Sequence, residues 1–253
     1  DSRVVGTELP GLEREVPWRD TMNYAAAVGD ANPRYLDDAR VHGIMAPPLF
    51  AVAVTWPFME NARETLQGVV PPEAVLAMVH AGEHLFFHRP LRPGVRLVVT
   101  GHVAAVRPSA KGTYMTLRLE AAEPDGGKVF TEYAGAFFRG VACNDEGRGT
   151  ENLPERVPWA HTPDSPLWEK EIRIAPEAAH VYDGCSGIVF PIHTSRAFAL
   201  EVGLPDILLQ GTAVLALSAR ELVNREAGQN PGLLREIACR FTGMIRPGTS
   251  VRV

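Results

Sequence analysis

Cysteine is scarce in this 253-residue sequence: Cys143, Cys185 and Cys239 are widely spaced and odd in number. That suits reduced thiols in the cytoplasm better than a disulfide framework. No C-x-x-C pair offers a metal site. His80, His84 and His88 recur every four residues and would share one face of a helix. However, His84-Leu85-Phe86-Phe87-His88 before Arg89-Pro90 reads as a strand, so these are expected to be solvent-facing or interface histidines and no metal is expected. No apolar run approaches the roughly 18 to 20 residues of a membrane span. A formal net charge of −5 argues against nucleic acid or an anionic membrane as the main partner. Asp1-Ser2-Arg3 carries neither an initiator Met nor an apolar signal core.

What is present is globular: 45% hydrophobic and 22% charged residues, in a chain long enough for one large or two small domains. Residues 1–17 have no strong period. Asp20 or Thr21 is positioned to cap a helix through Ala27 that Gly29 ends. Leu49 to Glu60 is almost wholly apolar and follows Pro47-Pro48, which predicts a buried helix kinked or shortened by Pro57. Strand patterns follow at Val79 to Phe87, Val95 to Val106, Gly112 to Ala121 and Lys128 to Phe138, with hairpin chemistry at each separator. Residues 139–170 are rich in turn formers and read as a linker.

The second half repeats the plan. A short strand is predicted at Glu169 to Ile174, a helical turn at Pro176 to Tyr182 and a helix at Ser195 to Val202. A long helix from a Thr212 cap to Ala227 and a strand at Leu234 to Ile245 complete it. Between them lies Cys185-Ser186-Gly187-Ile188-Val189-Phe190-Pro191-Ile192-His193-Thr194, followed by Leu208-Leu209-Gln210-Gly211-Thr212. Its degenerate copy is Val28-Gly29-Asp30-Ala31-Asn32-Pro33-Arg34-Tyr35, with Pro33 158 positions before Pro191 and Tyr35 aligned to His193. Arg92-Pro93-Gly94 likewise recurs 154 positions later as Arg246-Pro247-Gly248. Order-preserving offsets of this kind mark an internal duplication. After Gly94 three strands follow, but after Gly248 only five residues remain, so the chain is expected to continue beyond Val253 or to borrow strands from a partner.

These motifs resemble the MaoC-like (R)-specific enoyl-thioester hydratases and dehydratases in their double-hotdog form. The resemblance implies an α+β fold of two tandem modules, each an antiparallel sheet wrapped around a central helix. Residues 1–138 would form the N-terminal substrate-tunnel half, 139–170 the linker and 171–253 the catalytic-like half. In the family motif, Gly-Asp-x-Asn-Pro-x-His, the resemblance implies that Asp and His activate the water added to or lost from the β-carbon. A glycine opening the hotdog helix would meet the thioester oxygen. Here the dyad is divided. The first half keeps Asp30 and Asn32 but has Tyr35 for His and Pro48 for the glycine. The second keeps His193 and Gly211 but has Ile188 for Asp and Phe190 for Asn.

The resemblance assigns catalysis to His193 and Gly211, with Asp183, Ser186 and Gln210 as nearby replacements for the lost Asp. Ile188, Phe190, Gln210, Thr212, Asp30, Asn32 and Tyr35 would shape the substrate site. No metal or redox cofactor is implied; the thioester carrier would be coenzyme A or an acyl carrier protein. The partner would be a second copy or another hotdog subunit. Three functions follow: a hydratase or dehydratase of 2-enoyl and 3-hydroxyacyl thioesters, a catalytically silent subunit that binds acyl thioester or stabilises a partner, or a changed reaction in the same pocket, such as isomerisation or cyclisation of a polyketide-like substrate.

Overall fold

A computed structural model describes residues 1–75, 78–155 and 166–253. The elements of the first half are β1 (Leu12–Glu15), α1 (Trp18–Ala27), α2 (Pro33–Leu36), α3 (Phe50–Thr55), α4 (Pro57–Glu60), α5 (Ala62–Thr65), α6 (Pro72–Val75), β2 (Met78–Phe87), β3 (Arg96–Ser109), β4 (Gly112–Ala122) and β5 (Lys128–Arg139). Those of the second are β6 (Glu171–Arg173), α7 (Ala178–Ser186), α8 (Arg196–Glu201), α9 (Gly211–Glu226), β7 (Glu236–Arg240) and β8 (Ser250–Arg252). The linker expected at 139–170 has its middle, residues 156–165, outside the described residues.

One antiparallel sheet runs in the order β1-β3-β4-β5-β2-β7, and β6 pairs with β8. Buried residues of β3, β4 and β5, alternating along β4, share one core with α3, whose six residues are all buried and whose Thr55 bonds Glu132 of β5. Such a helix is stable only under a sheet that covers it. Pro57 ends α3 as expected, and the chain restarts as α4 with that proline in its first turn.

Several expectations need correction. The separator Arg92-Pro93-Gly94 is not a hairpin, because β2 lies beyond β5, three strands from β3. The connection instead crosses the end of the sheet, with Leu91 accepting from Ala46 N and Gly94 N donating to Val16 O. β1 was not evident because its four residues, mostly exposed, form a short edge strand without alternation. Helix α1 starts at Trp18, after Pro17, so neither Asp20 nor Thr21 caps it. The helical turn expected near Pro176 is a nine-residue helix that carries Asp183 and Ser186. Gln210, not Thr212, occupies the N-cap of α9, without a side-chain capping bond. The strand expected over Leu234 to Ile245 is limited to the five residues of β7.

The duplication is visible residue by residue. Gly29 (φ 62°) and Gly187 (φ 69°) each take the left-handed turn that leads the chain out of α1 or α7. Asn32 and Phe190 then hold matching N-cap positions, each before a proline at the first helical residue. The two halves meet where α1 packs on α7 and where β7 pairs with β2. At that seam Gly82 is required: a Cβ there would lie 2.7 Å from the carbonyl oxygen of Cys239.

Candidate active site

In the first-half motif, Asp30 and Asn32 are both buried. Asp30 Oδ1 accepts from Asn32 N (3.1 Å) and from Asn224 Nδ2 (3.0 Å) of α9. Asn32 Nδ2 donates to Asn224 Oδ1 (3.1 Å) and to the Gln229 carbonyl (2.9 Å), and its own Oδ1 caps α2 through Arg34 N (2.9 Å). Arg220 adds a bond to the Val28 carbonyl (2.5 Å). Every one of these partners is backbone or a side chain of the opposite half, so the motif clamps the end of α9. Burial raises the Asp30 carboxyl, and Asn224 and Asn32 oppose that shift by hydrogen bonding. Burial, with the neighbouring Asp30, also raises the Tyr35 phenol, so the hydroxyl standing at the histidine position stays protonated.

The second-half motif is arranged differently. Ile188 is 1% exposed, and its N–H donates to Ser186 Oγ (3.1 Å), which occupies that hydroxyl with local structure. Phe190 is 38% exposed and lies 6.4 Å, centroid to centroid, from the ring of His193. His193 Nδ1 lies 2.8 Å from the Leu208 carbonyl oxygen. A carbonyl only accepts, so Nδ1 carries the proton and the neutral ring keeps its lone pair on Nε2. Burial lowers the His193 pKa, the Leu208 carbonyl opposes that, and His80 lowers it further. Among the described residues, the histidines within 4.0 Å of a carboxylate oxygen are His80 and His84, not His193. Asp183, raised by burial, interacts instead with His180, and its buried Oδ1 has no hydrogen-bond partner.

Gly211 opens the 16-residue α9, whose first N–H groups carry the positive end of the helix dipole. A Cβ at Gly211 would lie 2.8 Å from Phe241 Cδ1, so the glycine also admits that ring. Gln210 is 1% exposed and donates from Nε2 to the Ala179 carbonyl (3.1 Å), leaving Oε1 buried and unpaired. Thr212 Oγ1 is likewise buried, beside the Tyr182 hydroxyl. A separate cleft of about 550 Å³ is lined by Arg34, Arg40, His42 and Arg92 of the first half, not by the His193 motif.

A cluster that the sequence did not announce lies at the seam. Of the two places expected for His80, solvent or an interface, it takes the second: a bulge in β2 between His80 and Gly82 turns it to the buried face of the sheet, beside Glu83 and against Phe241 of the other half. His80 Nε2 lies 2.8 Å from Glu83 Oε1, off the axis of an aligned hydrogen bond, and both Glu83 oxygens lack an aligned donor. Glu132, on β5, is equally buried and accepts from Thr55 Oγ1 at 2.6 Å. Burial pushes Glu83 up to about 8 and raises Glu132 well above its ordinary value, while it lowers His80 to about 4. Glutamates between strand residues read as solvent-facing; only the bulge and the β2–β5 register could have revealed them.

The fold and the divided motif together define a double-hotdog protein, and comparison with known proteins gives the family. Residues 3–132 match the FAS1-like dehydratase domain region, and residues 160–253 match the MaoC like domain. The chain belongs to the MaoC-like dehydratase family. It is 27% identical to the 3-hydroxyacyl-thioester dehydratase Y of Mycobacterium tuberculosis, over 99% of this chain and 85% of that protein. It is 22% identical to a probable enoyl-CoA hydratase 2 of Dictyostelium discoideum, over 98% of this chain and 84% of that protein. In fold it matches a MaoC-like dehydratase from Phytophthora capsici with a TM-score of 0.83 and 24% identity, covering 99% of this chain and 86% of that one.

Proposed function

We propose that the protein adds water to, or removes it from, 2-enoyl and 3-hydroxyacyl thioesters, carried on coenzyme A or an acyl carrier protein. The observation that carries this reading is the tautomer of His193. With Nδ1–H committed to the Leu208 carbonyl, Nε2 is left as a base. In hydration, a water gives its proton to Nε2 as its oxygen adds to the β-carbon. Negative charge then develops on the thioester oxygen, where the N–H of Gly211 and the dipole of α9 stabilise it. A lowered pKa keeps His193 neutral at pH 7, ready to take that proton. Family membership and the names of the relatives support the reaction class.

A second reading has its own observation. Ile188 is buried where the family motif has its aspartate, and Phe241 lies against Gly211, as in a protein that has kept the fold and lost the reaction. Incubation with crotonyl-CoA and longer trans-2-enoyl-CoAs, following loss of the conjugated thioester, separates the two. Turnover that His193→Ala abolishes supports a hydratase. Acyl-CoA binding without turnover at any chain length supports a silent subunit.

A further inference from the structure

Resting on the hydratase reading, we propose that His80 is a second acid–base residue of the site that His193 serves, with Glu83 as the carboxyl that orients and recharges it. The second half has no carboxylate beside His193, yet the first half places a complete imidazole–carboxyl pair at the same seam. The His80 ring centroid is 5.0 Å from that of Phe241, and Phe241 is the ring that rests on Gly211. The Trp56 ring centroid is 6.1 Å from that of His80, and Trp56 donates from Nε1 to the Val189 carbonyl (3.3 Å), within the His193 motif. A positive charge on His80 would lower the pKa of His193. The His80 side chain is 15% exposed while its Nε2 is buried.

Burying two glutamates and a histidine costs several kcal/mol per ion unless they are neutral. The groups facing Glu83 are His80 on β2, Glu132 on β5, Cys239 on β7 and Tyr182 on α7; none is a cation at pH 7. Burial keeps Glu83 protonated at neutral pH, against a hydrogen bond with Glu132 that lowers it and raises Glu132, and it lies next to an imidazole that is a proton acceptor. The step balances. As water adds to the β-carbon, its proton passes to His193 Nε2 and the C=C pair moves into the enolate. The α-carbon then takes the Nδ1 proton of His80, while the Glu83 carboxyl proton passes to His80 Nε2. Solvent returns the proton held by His193 to His80 Nδ1 as the Nε2 proton goes back to Glu83, so all three groups regain their starting state and water has been added across the double bond.

The test uses the full chain with 15N-labelled histidine and saturating 3-hydroxybutyryl-CoA, beside hydration assays of crotonyl-CoA across pH. The proposal predicts that the ligand shifts the imidazole nitrogen signals of both His80 and His193. His80→Gln and the near-isosteric Glu83→Gln are expected to lower kcat about 100-fold, the low end for a lost acid–base group. KM is expected to stay within about twofold, and the loss of activity at alkaline pH that marks Glu83 ionisation to vanish in Glu83→Gln. Retained imidazole spectra show that the variants are folded. A ligand that shifts His193 but leaves His80 unmoved, or a Glu83→Gln variant with wild-type kcat and pH profile, overturns this inference alone. Absence of both turnover and any histidine response overturns the hydratase reading with it.

Discussion

The hydroxyls of Tyr24 and Tyr182 lie 3.0 Å apart, and the two residues are 158 positions apart, the spacing that also separates Pro33 from Pro191. Equivalent residues of a duplicated chain touch only at the axis that relates the copies, so this pair marks the pseudo-twofold axis between the halves. The rings meet edge to face with centroids 5.5 Å apart, both fully buried. Tyr24→Phe or Tyr182→Phe alone strands one buried hydroxyl and is expected to cost about 1–2 kcal/mol in chemical denaturation. The double substitution is expected to cost less than the sum of the two, because it leaves neither hydroxyl unpaired.

The Asp30 motif is assigned to clamping α9 rather than to chemistry. Asn224→Ala removes a donor from Asp30 and an acceptor from Asn32, both buried, and is expected to lower stability by about 1–3 kcal/mol. Thermal denaturation checks this, with hydratase activity per folded molecule expected to stay within a few-fold of wild type.

Gly211→Ala would push a methyl group into Phe241. Overpacking of this kind costs about 1–3 kcal/mol. Pairing it with Phe241→Leu is expected to restore most of the lost melting temperature, and a failure of that rescue would show that the clash is not the cause.

The seam cluster makes stability depend on pH in a definite direction. Glu83, held at about 8 in the folded chain against an ordinary 4.5, binds more protons folded than unfolded between those values. Its contribution is present at low pH and is lost as pH rises towards 8, and Glu132 adds to the loss. His80, lowered to about 4, contributes the opposite slope, but only up to its ordinary 6.5. Between pH 6.5 and 8 the glutamates act alone, and stability is expected to fall by on the order of 2 kcal/mol for Glu83. Unfolding free energies at pH 6.5 and 8 for wild type and Glu83→Gln measure this, with a smaller fall in the variant.

Much of the fold was legible because its signals are local. Pro108-Ser109-Ala110-Lys111 and Pro124-Asp125-Gly126-Gly127 bound strands whose observed limits lie within a few residues of those expected. The order of β2 was not legible, since no local pattern says that a strand skips the next two strands, β3 and β4, to pair with β5. The length of α7 was not legible, because the expected turn stops at Tyr182 whereas Gly187 is the residue that ends the helix. The His193 motif could be read from residue spacing. The neighbours that set its chemistry, His80, Glu83, Glu132 and Phe241, are brought in by a bulge and by pairing between halves, both of which are tertiary.

The most direct measurement is hydration of crotonyl-CoA by wild type, His193→Ala and Asp30→Ala, each confirmed folded by circular dichroism. The account predicts that His193→Ala loses about 10² to 10⁴ in kcat, while Asp30→Ala keeps kcat within a few-fold and loses thermal stability. Undiminished turnover in His193→Ala, or a loss of kcat in folded Asp30→Ala as deep as that expected of His193→Ala, would contradict it.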